Sequence, residues 1–245
     1  MNTTTAEAIR ELAPTGELRA AMNFGNSVLA QRDPATGEPK GVSAALAREL
    51  ASRLGVPVKF VPYDAAGKVT AAARTGAWDV AFLAIDPLRA ADIAFTPPYV
   101  LIEGTYVVRH DSPLRAIEDF DRKGIRIAVG EGSAYHLYLK RTLKKALLVP
   151  VQTSGDCVEH FLKERLEAAA GVKQSLVRIA AGNPALRIIV GRFMVIEQAM
   201  GTLQGRPAAS AYLRDFVEEM KASGFVLREL ERSGQTDAAV APPAG

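Results

Sequence analysis

Two long extended runs constrain this chain more than any other feature. FTPPYVLIEGTYVVR, Phe95 to Arg109, is too long for one ordinary strand of roughly 5–6 residues and is broken by Gly104. RFMVIEQAMG, Arg192 to Gly201, is the second run. Each joins stretches with a different rhythm. Before the first run, LRAAMNF (Leu18–Phe24) reads as a strand. Leu46, Leu50 and Leu54 then mark one helical face, with Ser43 as cap and Gly55 as stop. VPVKFVPY is a second strand, Lys68–Ala73 a helix closed by Thr75-Gly76, and WDVAFLAI a third strand. The order β-α-β-α-β predicts a parallel sheet with helices on its faces.

The pattern starts again between the two runs. IRIAVG is a strand, EGSAYHLYLKRTLKK a loop entering a helix, and ALLVPV a strand. A helix over Asp156–Glu164, a strand over Leu166–Ala170, a helix over Gln174–Ala181 and the strand LRIIV follow. After the second run, Leu213, Phe216, Val217 and Met220 form the apolar stripe of a final helix, with Gly224 at its C-terminal cap. SGQTDAAVAPPAG, from Ser233 on, reads as frayed. The expected class is α/β with two lobes: residues 1–103 and 196–245 form a discontinuous lobe, and residues 104–195 an inserted one. Two hinge crossings connect them, and such lobes bind a small molecule in the cleft between them.

Composition removes other classes. The chain has 245 residues, 48% of them apolar, enough for a sizeable core. Its net charge of +3 is spread without a basic stripe, which argues against nucleic acid as a partner. One cysteine, Cys157, forms no intrachain disulfide and reads as a small apolar residue. No cysteine/histidine cluster has metal-ligand spacing, and His110, His136 and His160 are scattered, so neither metal nor cofactor is expected. No stretch approaches the ~20 apolar residues of a membrane span. MNTTTAEAIRELAPTGELRA lacks a basic segment followed by an apolar one, so the chain as written carries no secretory signal and reads as cytoplasmic unless a leader was removed.

Two places carry anion-binding chemistry. Arg89 follows WDVAFLAI at the mouth of a buried strand, and a planar guanidinium pairs with a carboxylate in two-pronged geometry. Its bland alternative is a surface arginine at a strand end. VGEGSAYHLYL places Gly130 and Gly132 after a strand and Ser133 at a helix start, where free N–H groups and a partial positive charge suit a carboxylate. The alternative there is plain helix capping by Ser133. A carboxylate held by both places would bridge the lobes, with each charge-assisted bond worth about 1.5–3 kcal/mol.

TGELRAAMNFGN, GVSAALARELASRLGVPVKFVPYD, GAWDVAFLAIDPLRAADIAFTPPYV and IRIAVGEGSAYHLYLKRTL, in this order, resemble the bacterial extracellular solute-binding proteins of the polar-amino-acid type. These are the binding components of ABC importers. The resemblance spans Gly16 to Gly224. Its most specific element is an arginine followed by I-x-F-[ST]-x-P-Y, here Arg89, Ile93, Phe95, Thr96, Pro98 and Tyr99. It implies the type II periplasmic-binding-protein fold, a monomer, a periplasmic location and an ABC permease as partner. It also implies that Arg89 binds a ligand carboxylate, with Gly132, Ser133 and Ala134 helping, and that Phe24, with Asn26 beside it, forms an aromatic wall.

Departures from the family pattern shape the ligand expected. The segment before Arg89, AFLAID, is short and lacks the family's hydroxyl residues, leaving backbone groups near Phe82–Ala84, or Asp86, to take their place. The aspartate that receives a ligand ammonium has no counterpart near Gly171–Val172, where Lys173 and Gln174 follow. A buried ammonium without a partner is costly. A small carboxylate without an α-amino group therefore fits best; Gln198, Glu197, Lys173 and Gln174 are either further contacts to it or solvated hinge and surface residues. The main reading is a binding protein rather than an enzyme. One alternative is an enzyme resembling cyclohexadienyl dehydratase, with Asp86, Glu131, His136 or Glu197 as general acid. Another is a cytoplasmic, ligand-responsive interaction protein.

Overall fold

The computed structural model describes residues 3–245; Met1 and Asn2, where the first lobe was expected to begin, lie outside the described residues. The chain forms two compact units, one of residues 3–101 and 197–245, the other of residues 102–196.

The first unit opens with α1 (Thr3–Leu12), β1 (Leu18–Asn23), and the short β2 (Gln31–Arg32) and β3 (Pro39–Lys40). It continues through α2 (Val42–Leu54), β4 (Val58–Tyr63), α3 (Ala66–Ala73) and β5 (Val80–Ala84). A 3-10 turn over Arg89–Ala91 leads into β6 (Ile93–Arg109), which runs on into the second unit. There follow β7 (Arg126–Gly130), α4 (Ala134–Thr142), β8 (Leu147–Val151), α5 (Cys157–Lys163), β9 (Ala168–Val172), α6 (Lys173–Ala181) and β10 (Leu186–Ile188). β11 (Met194–Leu203) returns to the first unit, which ends with α7 (Pro207–Ala222), α8 (Phe225–Arg232) and β12 (Ala239–Val240).

Both units use one strand plan. In the first, β1 pairs in parallel with β4 on one side and β5 on the other, and β11 pairs antiparallel to β5. In the second, β7 pairs in parallel with β8 and β9, and β6 lies antiparallel to β9. Every residue of β5 is buried, so its apolar run needs no alternation.

A buried carboxylate ties the first unit together. Asp79, fully buried at the entry to β5, accepts a two-pronged ion pair from Arg19, with Nε and Nη2 each at 2.8 Å. Arg206 approaches it at 3.1 Å and also donates to the Glu11 carbonyl. The Glu11 side chain accepts from Ala209 N–H at the start of α7. These links join α1, β1, β5 and α7. Beside Asp79, the buried Trp78 indole donates to the Val69 carbonyl of α3 at 3.0 Å.

Several expectations need correction. α2 begins at Val42 behind Gly41, whose φ of 94° and closeness to the Leu29 carbonyl leave no room for a side chain. Ser43 is therefore not the cap; its hydroxyl lies buried, 3.2 Å from Tyr99 Oη. The first extended run, judged too long for one strand, lies wholly within one strand of 17 residues, Ile93–Arg109. It changes partners along its length, pairing with β12 at Val100–Leu101, β9 at Gly104–Val107 and β10 at Val107–Arg109. Gly224 stands in the left-handed region just after α7, but α8 follows it, with Val226 and Leu230 buried. The tail is not frayed: β12 pairs with β6, Ala241 N–H donates to the Tyr99 carbonyl, and Lys221 holds the Pro242 carbonyl.

Asp79→Ala should leave Arg19 and Arg206 without their buried partner and cost about 3–5 kcal/mol. Chemical denaturation of the variant checks this; a loss below ~1 kcal/mol would contradict the role given to Asp79.

Candidate functional site

In open α/β sheets, ligands bind beyond the carboxyl ends of the strands, where the chain reverses the direction in which it adds strands. Each unit has one such point. In the first it lies between β1 and β5, and in the second between β7 and β9.

Phe24 and Asn26 follow β1. Phe24 N–H donates to the Tyr63 carbonyl at 2.9 Å, holding the ring beside the end of β4. A side chain at Gly25 would come within 2.6 Å of the Asp64 carbonyl oxygen, so glycine lets the two loops meet. Asn26 organises the turn: its Oδ1 accepts from Val28 N–H at 3.3 Å, and its carbonyl accepts from Leu29 and Ala30.

Arg89 follows β5 and is 1% exposed, so it is not a surface arginine. Its Nη1 donates to the Ala84 carbonyl at 2.8 Å. Burial lowers its pKa to about 10, opposed by the Asp86 charge. It stays protonated at neutral pH. Ala84 is buried and sits opposite Gln198 in the β5–β11 register, and Gln198 is buried too. Ile85 N–H donates to the Glu197 carbonyl, so the strand ladder continues to the edge of the Arg89 loop. Asp86 Oδ1 accepts from Leu88 N–H at 2.9 Å. The motif residues beyond Arg89 are structural: Thr96 Oγ1 accepts from Met200 N–H, and Tyr99 packs edge-on against Phe82. Within the first unit, Ala84 thus meets both Arg89 and Gln198, while Phe24 and Asn26 follow the neighbouring strand β1.

Gly132, Ser133 and Ala134 lie in the second unit, after β7. Ser133 Oγ caps α4 by accepting from His136 N–H at 3.1 Å, which is the capping role. Gly132, with φ of 67°, donates its N–H to His136 Nδ1 at 3.0 Å. Glu131 N–H goes to the Val151 carbonyl and Ser133 N–H to the Gly130 carbonyl. The donors expected from Gly132 and Ser133 are therefore engaged internally. The helix start still presents the N–H groups of Ala134 and Tyr135, which have no internal acceptor among the described residues. Gly130 serves packing rather than a ligand, since a Cβ there would meet Ser154 Oγ at 2.6 Å and Tyr135 Oη at 2.8 Å. Cys157 is buried and its thiol is pushed up to about 12 by desolvation.

Lys173 and Gln174 follow β9. The expectation that no carboxylate stands near Gly171–Val172 holds along β9 itself but fails across the sheet. Gly104 of β6 pairs with Val172, and this brings in Glu103. Lys173 Nζ lies 2.7 Å from Glu103 Oε2, and Arg192 contacts Oε1. Bonding to Lys173, then to Arg192, holds the Glu103 carboxyl below its usual range. The cluster carries one net positive charge. Sequence reading missed it because the three residues meet only through strand pairing. Of the candidate acids, Asp86 and Glu197 belong to the first unit, while Glu131 and His136 belong to the second.

Burial, with Lys140 nearby, lowers the His136 pKa from 6.5, and its Nδ1 lone pair is needed to accept from Gly132. The neutral form is thus favoured in the fold. On acidification the unfolded chain binds the proton first. The contribution of His136 is complete above about pH 6.5 and is lost as pH falls through its lowered folded value. His136→Gln should flatten the melting-temperature profile below that pH; parallel profiles for the two proteins would contradict the assignment.

No curated protein matches the chain. Among solved structures, a mutant of ArgBP from T. maritima is similar, with 23% identity, TM-score 0.79, and 93% of this chain and 99% of that chain covered. An ancestral amino acid-binding protein, AncCDT-1, described as a precursor of cyclohexadienyl dehydratase, has 23% identity and TM-score 0.76, covering 91% and 98%. The amino acid ABC transporter substrate-binding protein AbpA from Streptococcus pneumoniae, bound to L-arginine, has 18% identity and TM-score 0.78, covering 92% and 97%. These likenesses show the type II binding-protein fold. The model of the bacterial extracellular solute-binding proteins, family 3, matches residues 29–232, and the chain belongs to that family.

Proposed function

We propose that the chain captures a small carboxylate-bearing solute and serves as the substrate-binding component of an ABC importer, working outside the cytoplasmic membrane and delivering to a permease. The observation that carries this reading is Arg89, a buried and protonated guanidinium at the carboxyl end of β5. A charge withdrawn from water interacts strongly with an incoming anion. At 1% exposure, Arg89 becomes available only when the groups covering it move. In the second unit, taken by itself, the α4 start leaves Ala134 and Tyr135 N–H open to an oxygen anion.

Within the second unit, the Glu103–Lys173–Arg192 cluster is a poor place for a cation. Its carboxylate is already matched by two cations, and its net charge repels an ammonium. A carboxylate lacking an α-amino group suits this surface better than an amino acid does. The relatives include one bound to L-arginine and one ancestral to a dehydratase. Binding needs no proton donor, and no other observation favours catalysis.

Calorimetric titration with small mono- and dicarboxylates tests the reading. Arg89→Ala should weaken binding at least about tenfold, since a charge-assisted hydrogen bond is worth roughly 1.5–3 kcal/mol. Arg89→Lys, which keeps the charge but loses the planar fork, should fall between. Circular dichroism checks that both variants fold. Wild-type affinity in folded variants would contradict the reading.

A further inference from the structure

Beyond Phe24, the first unit has a concavity of about 460 Å³ lined by Phe24, Arg32, Pro62, Tyr63, Asp64 and Lys68. Its aromatic face is already covered. The Arg32 guanidinium carbon lies 4.0 Å from the Phe24 ring centroid, well within cation–π range. Arg32 reaches this place from β2, which is held against β3 through the register pairs Gln31–Lys40 and Arg32–Pro39.

The other charges around the concavity largely cancel. Lys68 and Asp64 form an ion pair at 2.8 Å. Asp33, next to Arg32, turns to its own loop, accepting from Ala35 and Thr36 N–H and lying 3.9 Å from Lys40. The lining is thus left one positive charge in excess, and that charge sits on the aromatic wall. A solute presenting a cation to Phe24 meets a ring face already taken by a guanidinium, and is repelled by it. A solute presenting an anion meets donors: a guanidinium over a ring uses its face, and its N–H groups lie in its plane.

We propose that Arg32 sets the charge class of the solute, selecting one whose second end is anionic and rejecting one whose second end is cationic. This rests on the carboxylate reading above, in which the first end is held at Arg89. Phe24 and Arg89 follow β1 and β5, which are paired neighbours. The solute class is a small dicarboxylate or its equivalent. Specificity here comes from a repulsive element as well as an attractive one.

The test is calorimetry with three five-carbon probes that share one carboxylate: glutarate, pentanoate and 5-aminopentanoate. The wild-type chain should bind glutarate at least about tenfold tighter than pentanoate, and 5-aminopentanoate weakest. Arg32→Ala should level the series, and Arg32→Glu should place 5-aminopentanoate ahead of glutarate. An unchanged order in Arg32→Glu, with pentanoate still bound and still dependent on Arg89, overturns the role of Arg32 alone. Failure of all three probes to bind the wild-type chain, or full binding by Arg89→Ala, overturns the carboxylate reading and this inference with it.

Discussion

A positive charge buried at the carboxyl end of β5 is the constraint on which the site depends. Arg89 loses its water, and burial accordingly lowers its pKa to about 10. What keeps it there is a rigid frame. Its Nη1 is fixed by the Ala84 carbonyl, and Ala84 is fixed by a fully buried strand. That strand is anchored at its start by Trp78 and by the Asp79 carboxylate between Arg19 and Arg206. On its far side, β11 carries Gln198 opposite Ala84 and receives Ile85 N–H at the Glu197 carbonyl. Beyond the 3-10 turn, Thr96 holds Met200 and Tyr99 holds Ser43. The arginine motif is thus mostly architecture, with one residue directed to chemistry.

The two units repeat one strand plan but equip it differently. In the first, the loops after β1 and β5 bring a ring, a buried guanidinium and a second guanidinium stacked on that ring. In the second, the loop after β7 spends most of its donors on its own cap, and the region after β9 neutralises Glu103 with Lys173 and Arg192. The Glu103–Lys173–Arg192 cluster itself carries one net positive charge.

Much of this was legible in the sequence, because helix and strand periods and the spacing around Arg89 are local. The alternation of strands and helices, the parallel pairing, and the positions of Arg89 after a buried strand and of Ser133 at a helix start followed from such patterns; the order of strands within each sheet did not. What was not legible depends on distant partners. Ser43 looked like a cap until Gly41 took that place and Tyr99 claimed its hydroxyl. The tail looked frayed because nothing in SGQTDAAVAPPAG shows that its backbone will pair with β6. Glu103 lies 70 residues from Lys173, and only the β6–β9 register brings them together. Arg32 stacks on Phe24 only because the β2–β3 hairpin holds it there.

The central claim is that a carboxylate reaches Arg89. Nitrogen-15 NMR of the labelled chain during a glutarate titration measures this directly, following the Arg89 Nε–H resonance beside those of the other arginines. The expected result is a saturable shift of Arg89 Nε–H, the largest among the arginine side chains. A saturable change elsewhere with the Arg89 resonance unmoved would contradict it, and would place the solute away from the carboxyl end of β5.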